Sequence, residues 1–368
     1  MIYSFDQVID RRGTDSIKYD FALKMGRPEN ILPLWVADMD FKAPPEALSG
    51  WYSSRFDWKI YPDWIVKTPS VVFAICTAVR ALTNEGDAVL IQQPVYHPFS
   101  ESILANGRRL VVNELVYDRG KYAIDLNDFE NKVIQNDVKL FILCSPHNPV
   151  GRVWAGDELT AMGELCVKHG VTVVSDEIHA DFVYPGHRHT VFAGIKSAFS
   201  DITVTCTAPT KTFNLAGLQI SNIFIPNRVI RQRFRRELNK TGCNQPNVMG
   251  LVACRAAYQH GARWLDELKS YLTLNLEFVR SFLADNLPQI RLVEPEGTYL
   301  LWLDCRALGL PDRELDDLIV HRAGLWLDAG PMFGAGGEGF QRLNIACSRA
   351  VLQKALTRLN AAVKEIVG

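Results

Sequence analysis

The chain has 368 residues, 48% of them hydrophobic and 22% charged, with a formal net charge of −1. This composition is typical of a globular protein long enough for two domains, and the balanced charge excludes an electrostatic preference for nucleic acid or an anionic membrane. The N-terminal residues carry charges where a signal peptide needs an apolar core, and no apolar run approaches the ~20 residues of a membrane span. We therefore expect a cytoplasmic protein whose partners are small molecules or a second copy of the chain.

Short β-rich segments alternate with helix-like segments through the first two thirds of the sequence. The predicted strands mostly end in Pro, Asp or Ser/Thr turn clusters and lie at residues 87–92, 138–144, 171–175 and 202–206. Predicted helices between them include residues 70–82 and 157–169, and Gly170 ends the second one. This alternation predicts a mainly parallel sheet that is covered by helices on both faces.

The pattern changes towards the C-terminus. A basic helix is predicted at residues 227–240 and a long amphipathic helix at residues 264–287. They precede an apolar run at residues 297–304 and a final helix that begins at Ala350. These elements predict a smaller α+β domain at the C-terminus.

Chemically useful residues follow the predicted strands, and parallel sheets bind ligands at the carboxyl ends of their strands. The helix start at Ser70 offers free amide groups to a phosphate. Four more residues follow successive strands and offer an aromatic ring, a side-chain amide, a carboxylate and an amine: Tyr96, Asn148, Asp176 and Lys211. The neighbours of Lys211 are small, hydroxyl or apolar residues, which is unusual for a surface lysine and favours a lysine held inside a site.

Each of these residues also has an ordinary structural interpretation. Ser70 is a typical helix cap, Asn148 before a proline is a typical turn residue, and Tyr96 is a typical packed aromatic. Asp176 is open to interpretation as a solvated loop acid, and Lys211 as a lysine that extends to the surface. The combination favours a functional site, because a lysine, a carboxylate, an aromatic ring, an amide and a phosphate-binding helix start together match the needs of pyridoxal phosphate.

Three other patterns are not expected to bind a ligand. Residues 334–339 match GxGxxG, but a strand-like segment follows them, so a flexible loop is predicted rather than a dinucleotide site. His187 and His189 lie in a Pro/Gly loop and are predicted to be surface residues rather than metal ligands. The eight cysteines are scattered without a CxxC pair, which favours buried free thiols over disulfides or a zinc site.

Longer stretches carry a resemblance to a known family. They are FDQVIDRRGTDSIKYD, LPLWVADMDFKAPPEAL, IQQPVYHPF, CSPHNPVGRVW, VVSDEIHADFVY, APTKTFNLAGLQIS, EGTYLLWLD and GGEGFQRLNIAC, which together run from residue 5 to about residue 349. The sequence resembles the fold type I pyridoxal-phosphate enzymes of the aminotransferase class I/II superfamily. Within them it is similar to the cystathionine β-lyase-like carbon-sulfur lyases, a branch indicated by SDEIHADF followed by APTKTFNLAGLQ.

The resemblance implies an α/β fold like that of aspartate aminotransferase. A mainly parallel, seven-stranded-type sheet is expected in a large cofactor-binding domain at residues 46–260. A small α+β domain is expected at residues 261–368, and residues 1–45 are expected to pack with it as an N-terminal segment. Members of the family work as homodimers with shared active sites, and the same is expected here.

The resemblance also implies pyridoxal 5'-phosphate as the cofactor. The implied cofactor-binding residues are Ser70, Val71, Tyr96, Asn148, Asp176, His179, Thr210 and Lys211. Lys211 resembles the catalytic Schiff-base lysine, which also removes the substrate α-proton. Asp176 resembles the partner of the pyridine nitrogen, and Tyr96 resembles the stacking aromatic, which is also a candidate catalytic proton donor to the leaving sulfur. Ser70, Val71 and Thr210 fall at expected phosphate contacts, and Asn148 resembles the donor to the ring hydroxyl.

Two further residues are implied in substrate binding. Arg342 matches the arginine that binds the substrate α-carboxylate, where a bidentate guanidinium fixes the orientation better than a lysine. Ala37 lies in the segment that packs over the substrate. No metal is implied.

The implied reaction is α,β-elimination on a cysteine S-conjugate, which gives pyruvate, ammonia and a sulfur product. Many aminotransferases carry an arginine eight residues after the lysine, but Gln219 stands there, as is usual in the lyase-like branch. An aminotransferase is the main alternative, and a regulatory protein that retains the cofactor site is the third. The residues do not choose among cystathionine, another thioether and a cysteine sulfoxide as the substrate.

The sequence departs from the family between Leu48 and Ser49. Relatives carry a longer stretch there, with a helix and a Gly-Tyr pair whose tyrosine reaches the phosphate in the partner subunit. Either this chain lacks that element or residues are missing from the sequence. We expect the second, because loss of the helix would uncover the active site.

Overall fold

The computed structural model of the chain describes residues 17–20, 22–28, 31–35, 50–243 and 245–367. Ala37, Leu48 and Ser49 lie outside the described residues, so the role expected for Ala37 stays a prediction. The expectation that residues are missing between Leu48 and Ser49 falls on the same undescribed segment and likewise stays a prediction.

Strands and helices alternate through most of the described chain. The strands are β1 (Leu32–Pro33), β2 (Ile65–Thr68), β3 (Ala88–Gln93), β4 (Arg109–Glu114), β5 (Val116–Asp118), β6 (Lys121–Ala123), β7 (Val138–Cys144), β8 (Thr172–Asp176), β9 (Thr203–Thr207), β10 (Ser221–Phe224), β11 (Arg291–Val293), β12 (Leu300–Asp304), β13 (Leu325–Trp326), β14 (Asp328–Ala329) and β15 (Phe340–Asn344). The helices are α1 (Ile17–Asp20), α2 (Trp51–Phe56), α3 (Val71–Leu82), α4 (Pro98–Leu104), α5 (Leu126–Asn136), α6 (Gly156–His169), α7 (Phe192–Ile195), α8 (Ser197–Ser200), α9 (Pro209–Thr212), α10 (Arg228–Lys240), α11 (Val248–His260), α12 (Ala262–Asn286), α13 (Asp312–Asp317) and α14 (Arg349–Val367).

Seven of the strands form one large sheet in the order β2-β10-β9-β8-β7-β3-β4. Neighbouring strands are parallel except for the two pairs that include β10, so six of the seven strands run in the same direction. The four strands predicted from the sequence are β3, β7, β8 and β9, each within one residue of its predicted bounds. The predicted mainly parallel sheet is therefore confirmed.

Strand β7 shows why helices cover both faces of this sheet. Leu140 and Ile142 pack with apolar residues of α3, α4 and α10, whereas Phe141 and Leu143 pack with apolar residues of α5 and α6. Successive side chains of a strand point to opposite faces, so an all-apolar strand needs a cover on each side. The helices thus leave the ends of the strands as the accessible part of the sheet.

A smaller sheet has the order β11-β12-β15-β14, with all neighbours antiparallel. Leu300, Leu301, Leu303 and Leu343 of this sheet share one cluster with apolar residues of α12 and α14. Strand β1 pairs in parallel with β13, and Trp35 stacks on Trp326 with ring centroids 4.3 Å apart. The predicted domain bounds stay a prediction. None of the described helices combines the length and the apolar character needed to cross a membrane.

Helix α6 is fixed at both ends and closely packed in between. Glu158 accepts a hydrogen bond from the N–H of Ala155 at 2.8 Å, and the helix ends at Gly170, whose φ is 66°. Glycine adopts this left-handed conformation at little cost. On the buried face, a Cβ added at Gly163 would lie 2.4 Å from a ring carbon of Phe199. The absence of a side chain at Gly163 therefore makes room for that ring.

We expect Gly163→Ala to lower the free energy of unfolding by about 1–3 kcal/mol, because the added methyl group overpacks this contact. Gly156→Ala is the matched control, since the Cβ added there would have no atom within 4 Å. The control should change the free energy of unfolding by less than about 0.5 kcal/mol. Chemical denaturation measures both values, and equal effects would contradict the packing argument.

Candidate active site

A cavity of about 290 Å³ lies where strands of the large sheet end. All eight residues predicted to bind the cofactor line it: Ser70, Val71, Tyr96, Asn148, Asp176, His179, Thr210 and Lys211. The other residues that line it are Pro69, Val72, Cys144, Ile178, Ala216 and Gln219. Parallel strands end at the same edge, so the sheet brings together residues that are far apart in the sequence.

The start of α3 forms one wall of the cavity. Ser70 caps this helix, and its side chain accepts a hydrogen bond from the N–H of Phe73 at 3.1 Å. The N–H groups of Val71 and Val72 belong to the first turn, where backbone donors have no acceptor within the helix. These donors, the positive end of the helix dipole and the nearby Thr210 form a suitable environment for a phosphate.

Asp176 is the last residue of β8, and its carboxyl group is buried. Its Oδ1 accepts a hydrogen bond from the N–H of Ile178 at 3.1 Å. Burial raises the pKa of Asp176 to about 7, although the hydrogen bond from Ile178 and the charge of Lys211 act in the opposite direction. A cationic donor in the cavity would therefore favour the ionised form of this carboxyl group.

Two rings also line the cavity. His179 is buried, and burial lowers the pKa of His179 to about 3, so the imidazole is neutral near pH 7. Its Nδ1 is buried and has no hydrogen-bond partner among the described residues. Burial raises the pKa of Tyr96, which keeps the phenol protonated at neutral pH. The cavity is thus lined by a neutral imidazole and a protonated phenol.

Lys211 lies in the short helix α9, directly after β9. The carbonyl of Pro209 accepts a hydrogen bond from the N–H of Phe213 at 2.8 Å, which closes the turn around the lysine. Lys211 is half-buried and lines the same cavity as Asp176. Gln219 reaches this cavity from the segment before β10. The fold thus places the predicted lysine and carboxylate together, while the roles given to them stay predictions.

Arg342 lies in the middle of β15, and it is next to the cavity rather than on its wall. Its Nη1 donates to Oδ1 of Asn148 at 2.8 Å, and its Nη2 donates to the carbonyl of Trp35 at 3.1 Å. The same Nη2 forms a buried ion pair with Asp328. The buried Nε has no hydrogen-bond partner in the part of the chain that the structure describes. The guanidinium is therefore fixed from three sides and retains a donor for an anion.

Neither Asp328 nor Ile178 is predicted from the sequence as part of the site. Asp328 is an acidic residue that follows the apolar run Leu325–Leu327, and a buried acid in such a context requires a cationic partner. An acid that directly follows an apolar run was therefore the sequence signal that could have identified Asp328. Ile178 differs, because its position on the cavity wall depends on the turn after β8.

The prediction that His187 and His189 are surface residues is wrong for His189. His187 is exposed, but His189 is buried, and its Nε2 lies 2.9 Å from Oε2 of Glu177. Glu177 is itself buried and also accepts hydrogen bonds from Ser175 and from the N–H of Phe192. Buried carboxylates need such donors, and the Pro/Gly loop folds back to supply one.

The glycine-rich loop at residues 334–339 packs against the large sheet. The N–H of Ala335 donates to Oε1 of Gln93 at 3.0 Å, and a Cβ added at Gly334 would lie 2.2 Å from the same side chain. Strand β15 follows this loop. Six of the eight cysteines are buried. Among the described residues, no group of three or more His, Cys, Asp or Glu side chains is arranged to hold a metal ion.

Comparison with known proteins gives matches over most of the chain. The sequence matches the family Aminotransferase class I and II over residues 57–359. It is 43% identical to cystathionine beta-lyase PatB of Bacillus subtilis (strain 168), over 98% of this chain and all of the relative. A crystal structure of cystalysin from Treponema denticola, which contains a pyridoxal 5'-phosphate cofactor, matches the fold with a TM-score of 0.95. Cystalysin is 38% identical to this chain, and the match covers 99% of this chain and all of cystalysin. The PLP-bound C-S lyase from Staphylococcus hominis is 30% identical with a TM-score of 0.89 over 98% of each chain.

These matches also show a difference in length. The alignment with the Bacillus subtilis lyase runs over 385 positions, so this relative has at least 17 positions that are absent from the 368 residues here. Fold and identity nevertheless agree from end to end, which confirms the resemblance to the carbon-sulfur lyase branch. The chain belongs to the aminotransferase class I and II family.

Proposed function

We propose that the chain is a pyridoxal-phosphate-dependent carbon-sulfur β-lyase that acts on cysteine S-conjugates. The observation that carries this proposal is the cavity itself, which combines a lysine, a buried carboxylate and a phosphate-binding helix start, with an arginine alongside. The names of the similar lyases support the same conclusion. The expected products are pyruvate, ammonia and a sulfur compound.

The residues of the cavity fit the cofactor at both of its charged ends. The amide groups at the start of α3 and Thr210 would hold the phosphate. Asp176, which has a raised pKa and needs a cationic donor, would bind the protonated ring nitrogen. Asn148 would contact the ring hydroxyl, Tyr96 the ring face, and the unpaired Nδ1 of His179 offers a further polar contact. When bound, pyridoxal phosphate supplies a ring that accepts the negative charge left on the substrate α-carbon.

Three side chains of the protein would carry the steps around that ring. Arg342 would bind the α-carboxylate, since its Nε is unpartnered among the described residues and its other donors already hold it in place. The amine of Lys211 would take the α-proton as a general base. The phenol of Tyr96 stays protonated at neutral pH and would give a proton to the sulfur as the carbon-sulfur bond breaks.

An aminotransferase is the second candidate, because the same residues serve both reactions until the α-proton has been removed. The two reactions differ in the next step, in which a lyase expels the β-substituent, whereas an aminotransferase returns the proton to the cofactor. Gln219 lines the cavity at the position where many aminotransferases have an arginine. Together with the similarity to named lyases, this favours elimination.

The homodimer is part of the same proposal. Val248, Met249 and Val252 of α11 are 70%, 64% and 58% exposed, and a cluster of exposed apolar side chains on one helix favours contact with another chain. Each active site would be completed at that contact. The cytoplasmic location stays a prediction.

Pyruvate release tests the proposed reaction. With no keto acid present, the chain should release pyruvate over many turnovers from cystathionine, an S-alkylcysteine or a cysteine sulfoxide. Lys211→Ala should lower the rate by at least about 10²-fold, because the base is removed. Lys67→Ala is the control, since Lys67 is also half-buried but lines a different cavity. No pyruvate, with a single conversion of the cofactor that added keto acid reverses, would instead establish an aminotransferase.

Tyr96→Phe tests the proton donor separately from the aromatic ring. Turnover should fall by about 10²-fold while KM changes little, because phenylalanine keeps the ring and loses the proton. Tyr184→Phe is the matched control, since the hydroxyl of Tyr184 is buried without a hydrogen-bond partner among the described residues. Steady-state kinetics of pyruvate release measures both. Unchanged turnover in Tyr96→Phe would exclude this role.

Asp176→Asn tests the buried carboxyl group through the pH dependence of stability. The pKa of Asp176 is raised from 3.8 to about 7 in the folded cofactor-free chain, so its stabilising contribution is complete below about pH 4 and is lost as the pH rises through about 7. The wild type should therefore lose up to roughly 4 kcal/mol relative to the variant over this range. Chemical denaturation of the two cofactor-free proteins at a series of pH values measures the difference. Parallel pH curves would show that Asp176 does not titrate in this way.

A further inference from the structure

Asp181 is a buried acid that does not line the cavity but is hydrogen-bonded to the turn that contains Lys211. It follows Asp176 by five positions, in the turn after β8. Its Oδ2 accepts a hydrogen bond from Oγ1 of Thr212 at 2.7 Å, and Thr212 is the residue after Lys211. Its Oδ1 accepts a hydrogen bond from Nε1 of Trp51 at 2.9 Å. One carboxylate thus joins the turn after β8, the lysine turn and helix α2.

The backbone pairing of the two strands does not extend to the lysine. Strands β8 and β9 pair as far as Asp176 and Cys206, and Lys211 lies five residues beyond Cys206. Beyond that point the two chain segments diverge into separate turns. The hydrogen bond from Thr212 to Asp181 connects these turns where the strand pairing has ended.

The other end of the connection is also fixed. The ring of Trp51 makes edge contacts with Phe213 and Tyr258, with centroids 5.3 and 5.4 Å away, and the guanidinium of Arg55 lies 4.2 Å from the centroid of Trp51. Indole Nε1 is a donor only, so it requires an acceptor such as Asp181. A buried carboxylate is costly unless its oxygens accept hydrogen bonds, and both oxygens of Asp181 accept one here from a neutral donor. These two hydrogen bonds therefore fix the position of Asp181 relative to Trp51 and Thr212.

We propose that Asp181 is a positioning residue that fixes the turn of Lys211 relative to the end of β8, where Asp176 lies. The proposal rests on the proposed function, because it assumes that Lys211 forms the covalent bond to the cofactor. A long lysine side chain has many conformers, so a backbone held in one place limits the positions of its amine. Asp181 itself does not line the cavity and acts through Thr212.

Thr212→Val is the first test, because valine matches threonine in shape and removes only the hydroxyl. Cofactor-free protein is mixed with pyridoxal phosphate, and the visible absorption of the lysine-bound cofactor is followed over time. We expect uptake to slow by about tenfold, and kcat to fall by about tenfold with little change in KM. Thr205→Val in β9 is the matched control, since Oγ1 of Thr205 is buried without a hydrogen-bond partner among the described residues. Equal uptake by the two variants would overturn the proposal.

Variants of Asp181 distinguish the effect of its hydrogen bonds on the lysine turn from the effect of its negative charge. Asp181→Ala removes both hydrogen bonds and should slow uptake at least as much as Thr212→Val. Asp181→Asn removes the charge but offers an oxygen to Trp51 and an amide donor to the hydroxyl of Thr212, so it should restore uptake to within about threefold of the wild type. If Asp181→Asn behaves like Asp181→Ala, the charge and not the position matters, and the proposal fails. If Asp181→Ala does not fold, the uptake rates of Thr212→Val and Asp181→Asn still test the positioning role of Asp181.

The uptake measurement needs no amino-acid substrate, so it separates this inference from the proposed reaction. A wild type that takes up the cofactor but releases no pyruvate contradicts the lyase, and the comparison of Thr212→Val with Thr205→Val still decides the role of Asp181. A wild type that takes up no cofactor overturns both.

Discussion

The site depends on a carboxyl group that is held out of water at the end of a central strand. Asp176 is buried because β8 lies in the middle of a sheet that is covered on both faces, and the hydrogen bond to it comes from the backbone N–H of Ile178. Burial makes its negative charge costly, so this end of the cavity favours a cationic ligand group. The start of α3 favours an anionic group at the other end. A ligand with a protonated ring nitrogen and a phosphate satisfies both requirements.

Rigid elements place the remaining groups around this charge. Arg342 is held in a strand, and its contacts with Asn148 and Asp328 leave it little freedom to move. Lys211 is held in the short helix α9, and the next residue of that helix, Thr212, donates a hydrogen bond to Asp181. Groups held in this way need little reorganisation when substrate binds, which is the main source of rate enhancement in sites of this kind.

The fold was predictable from the sequence where a strand was long and apolar. β3, β7, β8 and β9 each contain an unbroken run of three or more apolar or β-branched residues. β2 and β10 have four residues each and only two such residues in succession, so no pattern marks them. The cavity residues follow strand ends and lie in recognisable stretches. Asp181 was not predictable, because its importance depends on Trp51, a partner that is distant in sequence. The burial of His189 depends likewise on the hydrogen-bonding needs of Glu177.

The contacts of Arg342 have a consequence for the order in which the site forms during synthesis. Its partners are Trp35, Asn148 and Asp328, and strand β1, next to Trp35, pairs with β13. The ribosome synthesises the chain from its N-terminus. Strand β1 therefore cannot pair until β13, near the C-terminus, has been synthesised. The strands around Asp176 and Lys211 emerge much earlier. A nascent chain therefore contains Asp176 and Lys211 long before it contains all the partners of Arg342.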